Sequence, residues 1–295
     1  MNDHTAGVPR LPPKVSVYMP TKNRREIASE AIESVLNQRY TNIELIIVND
    51  GSTDDTYDHL EKLAQSDSRV SVLHNEQSIG APRSRNRAIT LATGEYITGL
   101  DDDDRFHLDR ISALVTYWQL LEDAGEQFSS LFTQDVVICG DKHSLSKKPG
   151  SVQVDDLFSY NLIGNQIFTR RAYLLGAGLF DEHMPAWQDL DLFIRVLAKF
   201  GPAKLLDCGL YYFNDEPRTD RISKASKPKI LSAYRRLAEK SHAATPQMKQ
   251  ALFLQAFSPF YGFRPDSRDL LEFGRHGFSL KNTARLARIF ARRTA

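Results

Sequence analysis

The chain has 295 residues, a formal net charge of +1 and only two cysteines, and hydrophobic residues make up 41% of it. Such a chain can bury a large core, but it has too few cysteines for a disulfide framework or a thiolate metal site. We expect Cys139 and Cys208, which lie in apolar stretches, to be reduced core residues. No apolar run approaches the roughly 18 residues of a membrane span and no signal peptide is evident, which predicts a cytoplasmic protein.

The first hundred residues alternate between strand and helix patterns. Residues 1–13 contain three prolines and few apolar side chains, which predicts a flexible leader. After this leader, alternating and apolar runs predict four strands, with a helix after each of the first three. The strands are predicted at 15–19, 43–48, 70–74 and 96–100, and the helices between the turn at 20–24 and residue 38, at 54–64 and at 81–93. Repeated strand–helix units are typical of an α/β fold with a mostly parallel, Rossmann-like sheet flanked by helices.

The fourth strand runs directly into four consecutive carboxylates, Asp101 to Asp104. Like charges held side by side repel one another, and a bound cation would relieve that repulsion. Carboxylate oxygens at the end of a strand suit Mg²⁺ or Mn²⁺, with a phosphate group completing the coordination. A solvated acidic turn at the start of a helix near Leu108 is the alternative explanation.

Polar turns follow three of the predicted strands, at residues 20–24, 49–51 and 101–104. Because the strands are expected to be parallel, their carboxyl ends meet at one rim of the sheet, where α/β proteins bind ligands. The chain contains neither GxGxxG nor GxxxxGK[ST], so no glycine-rich phosphate loop is available. Any nucleotide must therefore be held through a metal and side chains.

The pattern after Asp104 is mixed. It predicts helices at 108–122, 171–176 and 187–201, strands at 132–139, 165–169 and 205–213, a polar loop at 141–150 and a charged loop at 214–223. Asp189 lies in the first turn of the helix at 187–201, where the helix dipole favours a carboxylate. Helix capping is therefore an alternative explanation for Asp189.

The charge is distributed unevenly along the chain. Residues 1–223 contain 23 Lys and Arg against 33 Asp and Glu, whereas residues 224–295 contain 15 against 4. The segment 279–295 has no acidic side chain, and its Leu286, Ile289 and Phe290 form one apolar stripe on a predicted helix. This pattern favours contact with an anionic membrane surface, and the absence of a recognised motif disfavours nucleic acid. A solvated helix docked on the domain is the alternative.

Five motifs in register resemble the family 2 inverting glycosyltransferases of GT-A fold. They are VSVYMPTKNR at 15–24, IELIIVNDGST at 43–53, Arg85-Asn86 followed by ATGEYI at 92–97, LDDDD at 100–104, and QDLDL with Arg195 at 188–195. The resemblance covers about residues 14–223, and it implies a GT-A domain there with a basic, helical C-terminal extension at 224–295.

The resemblance also implies roles for individual residues. Pro20, Thr21 and Asn23 belong to the nucleoside-contacting turn, Asp50 to the pyrimidine base site, and Arg85, Asp102, Arg218 and Arg221 to the remaining nucleotide-sugar contacts. Asp101 to Asp103 match the family's D-x-D, with Asp103 the direct metal ligand and Asp101 nearer the ribose or the water shell of the metal. Asp189 matches the general base. Two positions depart from the family pattern: Gln188 replaces a Glu, and Asn214, Asp215 and Glu216 stand where many members carry a metal-binding His.

The function implied by this resemblance is a Mn²⁺- or Mg²⁺-dependent inverting glycosyltransferase of hexosyltransferase type. Its donor would be a UDP-sugar or dTDP-rhamnose. Its acceptor would be a glycan or lipid-linked saccharide of lipopolysaccharide, O-antigen or capsule, reached at the inner face of the cell membrane. Two alternatives stay open: a sugar-nucleotide nucleotidyltransferase, disfavoured because the turn at 20–24 lacks the expected glycine-rich loop, and a glycan- or nucleotide-binding module without turnover.

Overall fold

A computed structural model describes residues 11–216 and 226–291 of the chain. Its first half has the predicted order of strands and helices. The elements are β1 (Val15–Thr21), α1 (Arg25–Leu36), β2 (Ile43–Asn49), α2 (Thr56–Ser66), β3 (Val70–His74), α3 (Ala81–Leu91) and β4 (Tyr96–Gly99).

The middle of the chain adds both short and long elements. They are β5 (Arg105–Phe106), α4 (Arg110–Asp123), β6 (Ser130–Cys139), β7 (Lys142–Leu145), β8 (Ser151–Val152), α5 (Val154–Leu157), β9 (Phe168–Arg170), α6 (Arg171–Gly176), α7 (Gln188–Phe200) and β10 (Ala203–Asn214). The prediction of a loop throughout 141–150 was wrong, because β7 lies within it and pairs antiparallel with β6. All four residues of β7 are exposed, so this strand carries no apolar pattern that would have revealed it.

The strands form a ten-stranded sheet in the order β3-β2-β1-β4-β9-β6-β10-β5, with β7 and β8 attached to β6 and β10. The pairs among β3, β2, β1 and β4 are parallel, and β9 is antiparallel to both of its neighbours. Alternate side chains of β2 enter different cores: Leu45 and Ile47 join one cluster, and Ile46 and Val48 join the other. Helices therefore cover both faces of the sheet, as the α/β prediction requires, and that prediction is confirmed.

Four helices follow the residues that the structure leaves undescribed. They are α8 (Lys227–Lys240), α9 (Pro246–Gln255), α10 (Ser267–Gly274) and α11 (Leu280–Ala291), so the predicted helical C-terminal region is present. Their apolar residues, among them Ile230 and Phe253, belong to the same core cluster as Phe193 of α7. These helices thus share a core with the first part of the chain, while the division at 223 stays a prediction.

Two expectations about burial need correction. Leu286 and Ile289 of the apolar stripe are 9% and 5% exposed and belong to the core cluster, so these two side chains are buried in the protein and not available to a membrane, whereas Phe290 is 49% exposed. Cys139 and Cys208 are exposed and not core residues. Cys139 ends β6, and Cys208 lies in β10 where the register with β6 shifts, so neither occupies a regular inward-facing position. Among the described helices, none is long and apolar enough to span a bilayer.

Candidate active site

A cavity of about 800 Å³ opens where β1, β2 and β4 end. Most of the predicted site residues line it, as expected if the carboxyl ends of parallel strands meet at one rim. These are Pro20, Thr21, Asn23, Asp50, Arg85, Asp101, Asp102, Asp103 and Asp189. The other two predicted contacts, Arg218 and Arg221, lie outside the described residues.

The turn after β1 is joined to the turn after β2. Asn23 has a left-handed backbone with φ of 51°, a conformation that Asn adopts more readily than most residues. Its Oδ1 accepts a hydrogen bond from the Thr53 N–H at 2.8 Å, and its own N–H donates to Ser52 Oγ at 2.9 Å. These bonds give the cavity one rigid edge built from two separate βα connections.

Asp50 organises the segment before α3. Its buried carboxylate accepts hydrogen bonds from five donors, which are Asn75 Nδ2, Ser78 Oγ, Ile79 N–H, Gly80 N–H and Ser84 Oγ, at 2.7–3.1 Å. Burial raises the pKa of Asp50, but the hydrogen bonds outweigh it and hold the pKa below its usual range. Asp50 is therefore ionised, and it fixes the position of Ser78 and Gly80, which also line the cavity.

The four consecutive aspartates have different environments. Asp102 is 7% exposed, and its carboxylate accepts hydrogen bonds from Thr21 Oγ1 and Arg24 Nη1, both at 2.8 Å. Asp104 is 2% exposed and accepts from the Tyr211 hydroxyl at 2.7 Å and the Asn214 N–H at 2.9 Å. Burial raises the pKa of Asp102 to about 6 and that of Asp104 well above its usual range. Through these hydrogen bonds, Asp102 attaches the loop at 101–104 to β1, and Asp104 attaches it to β10.

Asp101 and Asp103 are more accessible, with side chains 24% and 17% exposed. Among the described residues, no group of three or more His, Cys, Asp or Glu side chains is arranged to hold a metal ion. Mg²⁺ is commonly held by one or two carboxylates, with water and phosphate oxygens as the other ligands. Asp101 and Asp103 therefore fit a divalent cation bound together with a nucleotide diphosphate. The positions considered for a third ligand, Asn214 to Glu216, do not line the cavity.

Arg85 of α3 joins Asp101 to Asp189. Its Nη2 donates to Asp101 Oδ1 at 2.8 Å, and its Nη1 lies 3.7 Å from Asp189 Oδ1. Gln166 Nε2 also donates to Asp101 Oδ1, at 3.2 Å, while Gln166 Oε1 accepts from the Tyr18 hydroxyl at 3.3 Å. One buried guanidinium therefore sits between the acidic loop and the first turn of α7.

Asp189 has the properties expected of a proton acceptor. Its Oδ1 is buried and has no hydrogen-bond partner among the described residues. Burial raises the pKa of Asp189, and the negative charge of Asp101 raises it further. The positive charge of Arg85 lowers it, and the resulting pKa is about 6. A carboxyl group with a pKa near 6 is ionised at neutral pH, and its carboxylate is a stronger base than that of an ordinary Asp. Capping of α7 stays the alternative explanation for Asp189, whose Oδ1 also lies within ion-pair distance of Arg85.

Part of the cavity wall was not predicted from the sequence. It comes from the 160–165 segment, from the start of α7, from β10, and from α8, α9 and the turn after α9, and its residues are Tyr160, Asn161, Gly164, Asn165, Trp187, Phe213, Ile230, Gln255, Ser258, Phe260 and Tyr261. The one available signal was the run of aromatic residues at 257–263, within a region that we described only as basic and helical. Their place in the cavity depends on contacts between distant parts of the chain.

Comparison with known proteins agrees with this geometry. The family model described as "Glycosyl transferase family 2" matches residues 16–151. The putative colanic acid biosynthesis glycosyl transferase WcaA of Escherichia coli strain K12 is 41% identical over 64% of this chain and 68% of its own length. The UDP-Glc:α-D-GlcNAc-diphosphoundecaprenol β-1,3-glucosyltransferase WfaP of Escherichia coli is 36% identical over 43% of this chain, and this chain spans about half of its length, 49%.

The structural comparison extends the likeness to the C-terminal helices. The structure of S. aureus TarS 1–349 in complex with UDP-GlcNAc matches with a TM-score of 0.67 and 18% identity. The match covers 94% of this chain and 79% of that one, and it shows that the fold is the GT-A fold. Because WcaA is 41% identical over 68% of its length, and the family model covers the ends of β1, β2 and β4 where the cavity opens, the chain is an enzyme that belongs to glycosyl transferase family 2.

Proposed function

We propose that the protein is a metal-dependent inverting glycosyltransferase. It transfers a sugar from a nucleotide-diphosphate donor to a glycan or lipid-linked acceptor of the bacterial cell surface, as in lipopolysaccharide, O-antigen or capsule synthesis. The observation that carries this proposal is the pairing of Arg85 with both Asp101 and Asp189 inside one cavity. One cation thereby joins the acidic loop to the candidate base within a cavity of about 800 Å³, which is large enough for two substrates.

The donor lies along the rim formed by β1 and β2. Thr21 and Asn23 contact the nucleoside. Asp50 recognises the pyrimidine base, either by direct contact or through the 78–80 turn, whose Ser78 and Gly80 donate hydrogen bonds to Asp50. A UDP-sugar and dTDP-rhamnose both fit this assignment, and UDP-GlcNAc is the ligand of the TarS complex. Arg85 and Asp102 complete this side of the cavity, and Arg218 and Arg221 act on the diphosphate.

Asp103 and Asp101 would hold Mn²⁺ or Mg²⁺ through their carboxylate oxygens, and an ion bound there would neutralise the charge that appears on the departing diphosphate. Arg85 donates to Asp101 and adds a fixed positive charge that needs no reorganisation during the reaction.

Asp189 acts as the general base. The hydroxyl proton of the acceptor passes to a carboxylate oxygen of Asp189. The hydroxyl oxygen forms a bond to the anomeric carbon of the donor sugar, the bond from that carbon to the diphosphate oxygen breaks, and the electron pair leaves with the nucleoside diphosphate. A single displacement of this kind inverts the anomeric configuration, so no carboxylate nucleophile is required.

We propose further that the protein acts at the cytoplasmic face of the membrane and contacts it peripherally through its C-terminal segment 279–295. WfaP has a lipid-linked saccharide in its name, and an enzyme with such an acceptor works at a membrane surface. The buried Leu286 and Ile289 of α11 cannot serve for this contact, but Phe278 and Leu280 are each 76% exposed and Phe290 is 49% exposed. Exposed cations of the same helix, Lys281 and Arg288, suit anionic headgroups.

The test is thermal unfolding with UDP, dTDP, GDP, CMP and ADP, each with and without Mn²⁺. A nucleotide at a hundred times its dissociation constant adds about 2.7 kcal/mol to stability, which is readily seen as a rise in Tm. We expect a Mn²⁺-dependent rise with UDP or dTDP that Asp103→Ala abolishes and that the matched variant Asp155→Ala, on the exposed face of α5, retains. A protein that shows no metal-dependent rise with any nucleotide contradicts the proposal.

A further inference from the structure

We propose that four aromatic side chains, Tyr160, Trp187, Phe260 and Tyr261, form a subsite that binds a pyranose ring of the acceptor saccharide by stacking. We call this group the aromatic wall. All four line the same cavity as Asp189. The inference rests on the proposed function, and it assigns a place and a chemical class to the acceptor.

Trp187 is held in a strained conformation next to the base. Its backbone is left-handed, with φ of 59° and ψ of 30°, which is rare and strained for a bulky side chain. Its indole Nε1–H donates to the hydroxyl of Tyr261 at 2.8 Å. Such strain persists only where the surroundings fix it, and it commonly marks a functional position. Trp187 lies two residues before Asp189, so the indole and the base are placed together.

Two of the other cavity-lining rings are largely exposed in the free protein. Phe260 is 58% exposed and Tyr160 is 49% exposed. Phe260 meets Tyr261 edge-on with ring centroids 5.0 Å apart, and the Tyr261 ring is parallel to that of Phe263 at 5.9 Å. Aromatic surface left open in a cavity contributes to stability only when a ligand covers it, because in the free protein it remains in water.

The C-terminal helices hold the two parts of the wall in place. Gln255 Nε2 of α9 donates to the Leu157 carbonyl at 2.7 Å, and Arg285 Nη2 of α11 donates to the Ser159 carbonyl at 2.9 Å. These bonds fix the segment that carries Tyr160 against the helices that precede and follow Phe260. The C-terminal region therefore builds part of the substrate cavity.

The chemistry of the wall fits a sugar ring. The face of an aromatic ring carries negative charge density, and the C–H groups on one face of a pyranose present weakly positive hydrogens to it. Polar side chains of Asn161, Asn165 and Ser258 line the same region and suit the sugar hydroxyls. The nucleotide base is the other flat group in the reaction, but its proposed contacts are on β1 and β2, whereas the wall comes from later elements. The acceptor saccharide is therefore the occupant that we propose.

Tryptophan fluorescence tests the proposal, because the chain has two tryptophans and Trp118 is 1% exposed in the other core cluster. The probes are methyl glycosides and disaccharides of glucose, galactose, mannose, N-acetylglucosamine and rhamnose, titrated with saturating UDP or dTDP and Mn²⁺. We expect at least one probe to shift the emission to shorter wavelength in a saturable manner, and Trp187→Phe to abolish the shift. Phe260→Ala and Tyr160→Ala should each weaken binding about three- to tenfold, the usual range for an aromatic contact.

Tyr57→Ala is the matched control, since Tyr57 is also 49% exposed but lies on α2 outside the cavity; it should leave saccharide binding unchanged. The proposal is overturned if nucleotide raises the Tm with Mn²⁺ but no saccharide changes the emission, or if Phe260→Ala and Tyr160→Ala both bind saccharide like the wild type. If no nucleotide raises the Tm, the proposed function itself fails and the subsite fails with it.

Discussion

Nη1 of Arg85 lies 3.7 Å from Oδ1 of Asp189, although the two residues belong to different helices, α3 and α7. The same guanidinium donates to Asp101 at 2.8 Å. Arg85 itself is only 7% exposed, so its charge is poorly screened by water. The ionisation of Asp189 therefore depends directly on this one cation. Activity and its pH dependence should respond to changes at either residue.

Replacing Asp189 with Asn should abolish turnover but preserve the donor site. General-base catalysis contributes about 10²–10⁴-fold to a rate, and Asn cannot accept the proton. In the wild type, kcat/KM should fall as the pH drops through about 6, because protonation of Asp189 in the free enzyme then removes the base. The measurement is nucleotide release against pH, together with the nucleotide-dependent rise in Tm. A variant that keeps full activity rules out Asp189 as the base.

Replacing Arg85 with Met should move the acidic limb of the pH–rate profile to higher pH. Arg85 lowers the pKa of Asp189, so without the guanidinium that pKa rises and more of the base is protonated at pH 6–7. The variant should also be less stable by about 3 kcal/mol, because carboxylates lose their buried partner. Arg85→Lys retains the charge but not the planar guanidinium with its paired N–H donors, so it should return the acidic limb of the pH–rate profile part of the way to its wild-type position. If the acidic limb of the pH–rate profile does not move in Arg85→Met, the charge of Arg85 does not influence the pKa of Asp189.

The positions of Thr21, Asp50 and Asp101 could be predicted from the sequence because they depend on local rules. Each follows a strand of a βα unit, and the parallel pairing of β1 with β2 and β4 brings their carboxyl ends to one rim. The periodicity of the strands and helices was sufficient for that inference. The enzyme class and the α/β fold followed from the same motifs.

Other features could not be predicted because they depend on long-range contacts. Asp102 and Asp104 look identical to Asp101 and Asp103 in the sequence, yet Asp104 is buried by Tyr211, more than a hundred residues later. Similarly, nothing local places Phe260 in the same cavity as Thr21. An amphipathic pattern such as that of α11 indicates an apolar face but not what covers it, which explains the error over Leu286.

Gly99 should not tolerate a side chain. A Cβ at this position would lie 2.6 Å from the buried ring of Tyr18 and 2.0 Å from Gln166 Oε1. The Tyr18 ring cannot move easily, so Gly99→Ala should cost about 1–3 kcal/mol of stability. It should also lower activity by displacing Gln166 from Asp101. Gly150→Ala is the control, since no atom lies within 4 Å of its Cβ; equal melting temperatures for the two variants would contradict this packing.

Replacing Asp181 with Asn should loosen α8. Asp181 accepts hydrogen bonds from Arg236 at 3.0 Å and from Lys240 at 2.8 Å, both on that helix. Burial raises the pKa of Asp181, but these bonds and one from the His183 N–H outweigh it and hold the pKa well below its usual range. The substitution should therefore cost about 1–2 kcal/mol at neutral pH, allowing for the partly exposed partners.

The pH dependence of this loss has a definite sign. Because the folded-state pKa of Asp181 is depressed, its contribution is present above its unfolded value of about 3.9 and is lost as the pH falls below it. The stability difference between wild type and Asp181→Asn should be constant from pH 5 to 8 and shrink below about pH 4, as measured by urea unfolding. Glu182→Gln, which removes an exposed pair with Arg83, should have no measurable effect. If the stability difference between wild type and Asp181→Asn grows as the pH falls, the pKa of Asp181 is not depressed in the folded protein.

Removing the exposed apolar side chains before and at the start of α11 should weaken membrane binding. Phe278 and Leu280 are each 76% exposed, and inserting such side chains into a bilayer contributes about 1.5–3 kcal/mol each when burial is complete. The double variant Phe278→Ser, Leu280→Ser should therefore bind vesicles of phosphatidylcholine with one quarter phosphatidylglycerol at least about tenfold less in sedimentation. Leu120→Ser, which alters a leucine on α4 that is 62% exposed, should bind like the wild type. Unchanged sedimentation of the double variant, or equal binding to neutral vesicles, would refute membrane contact through this segment.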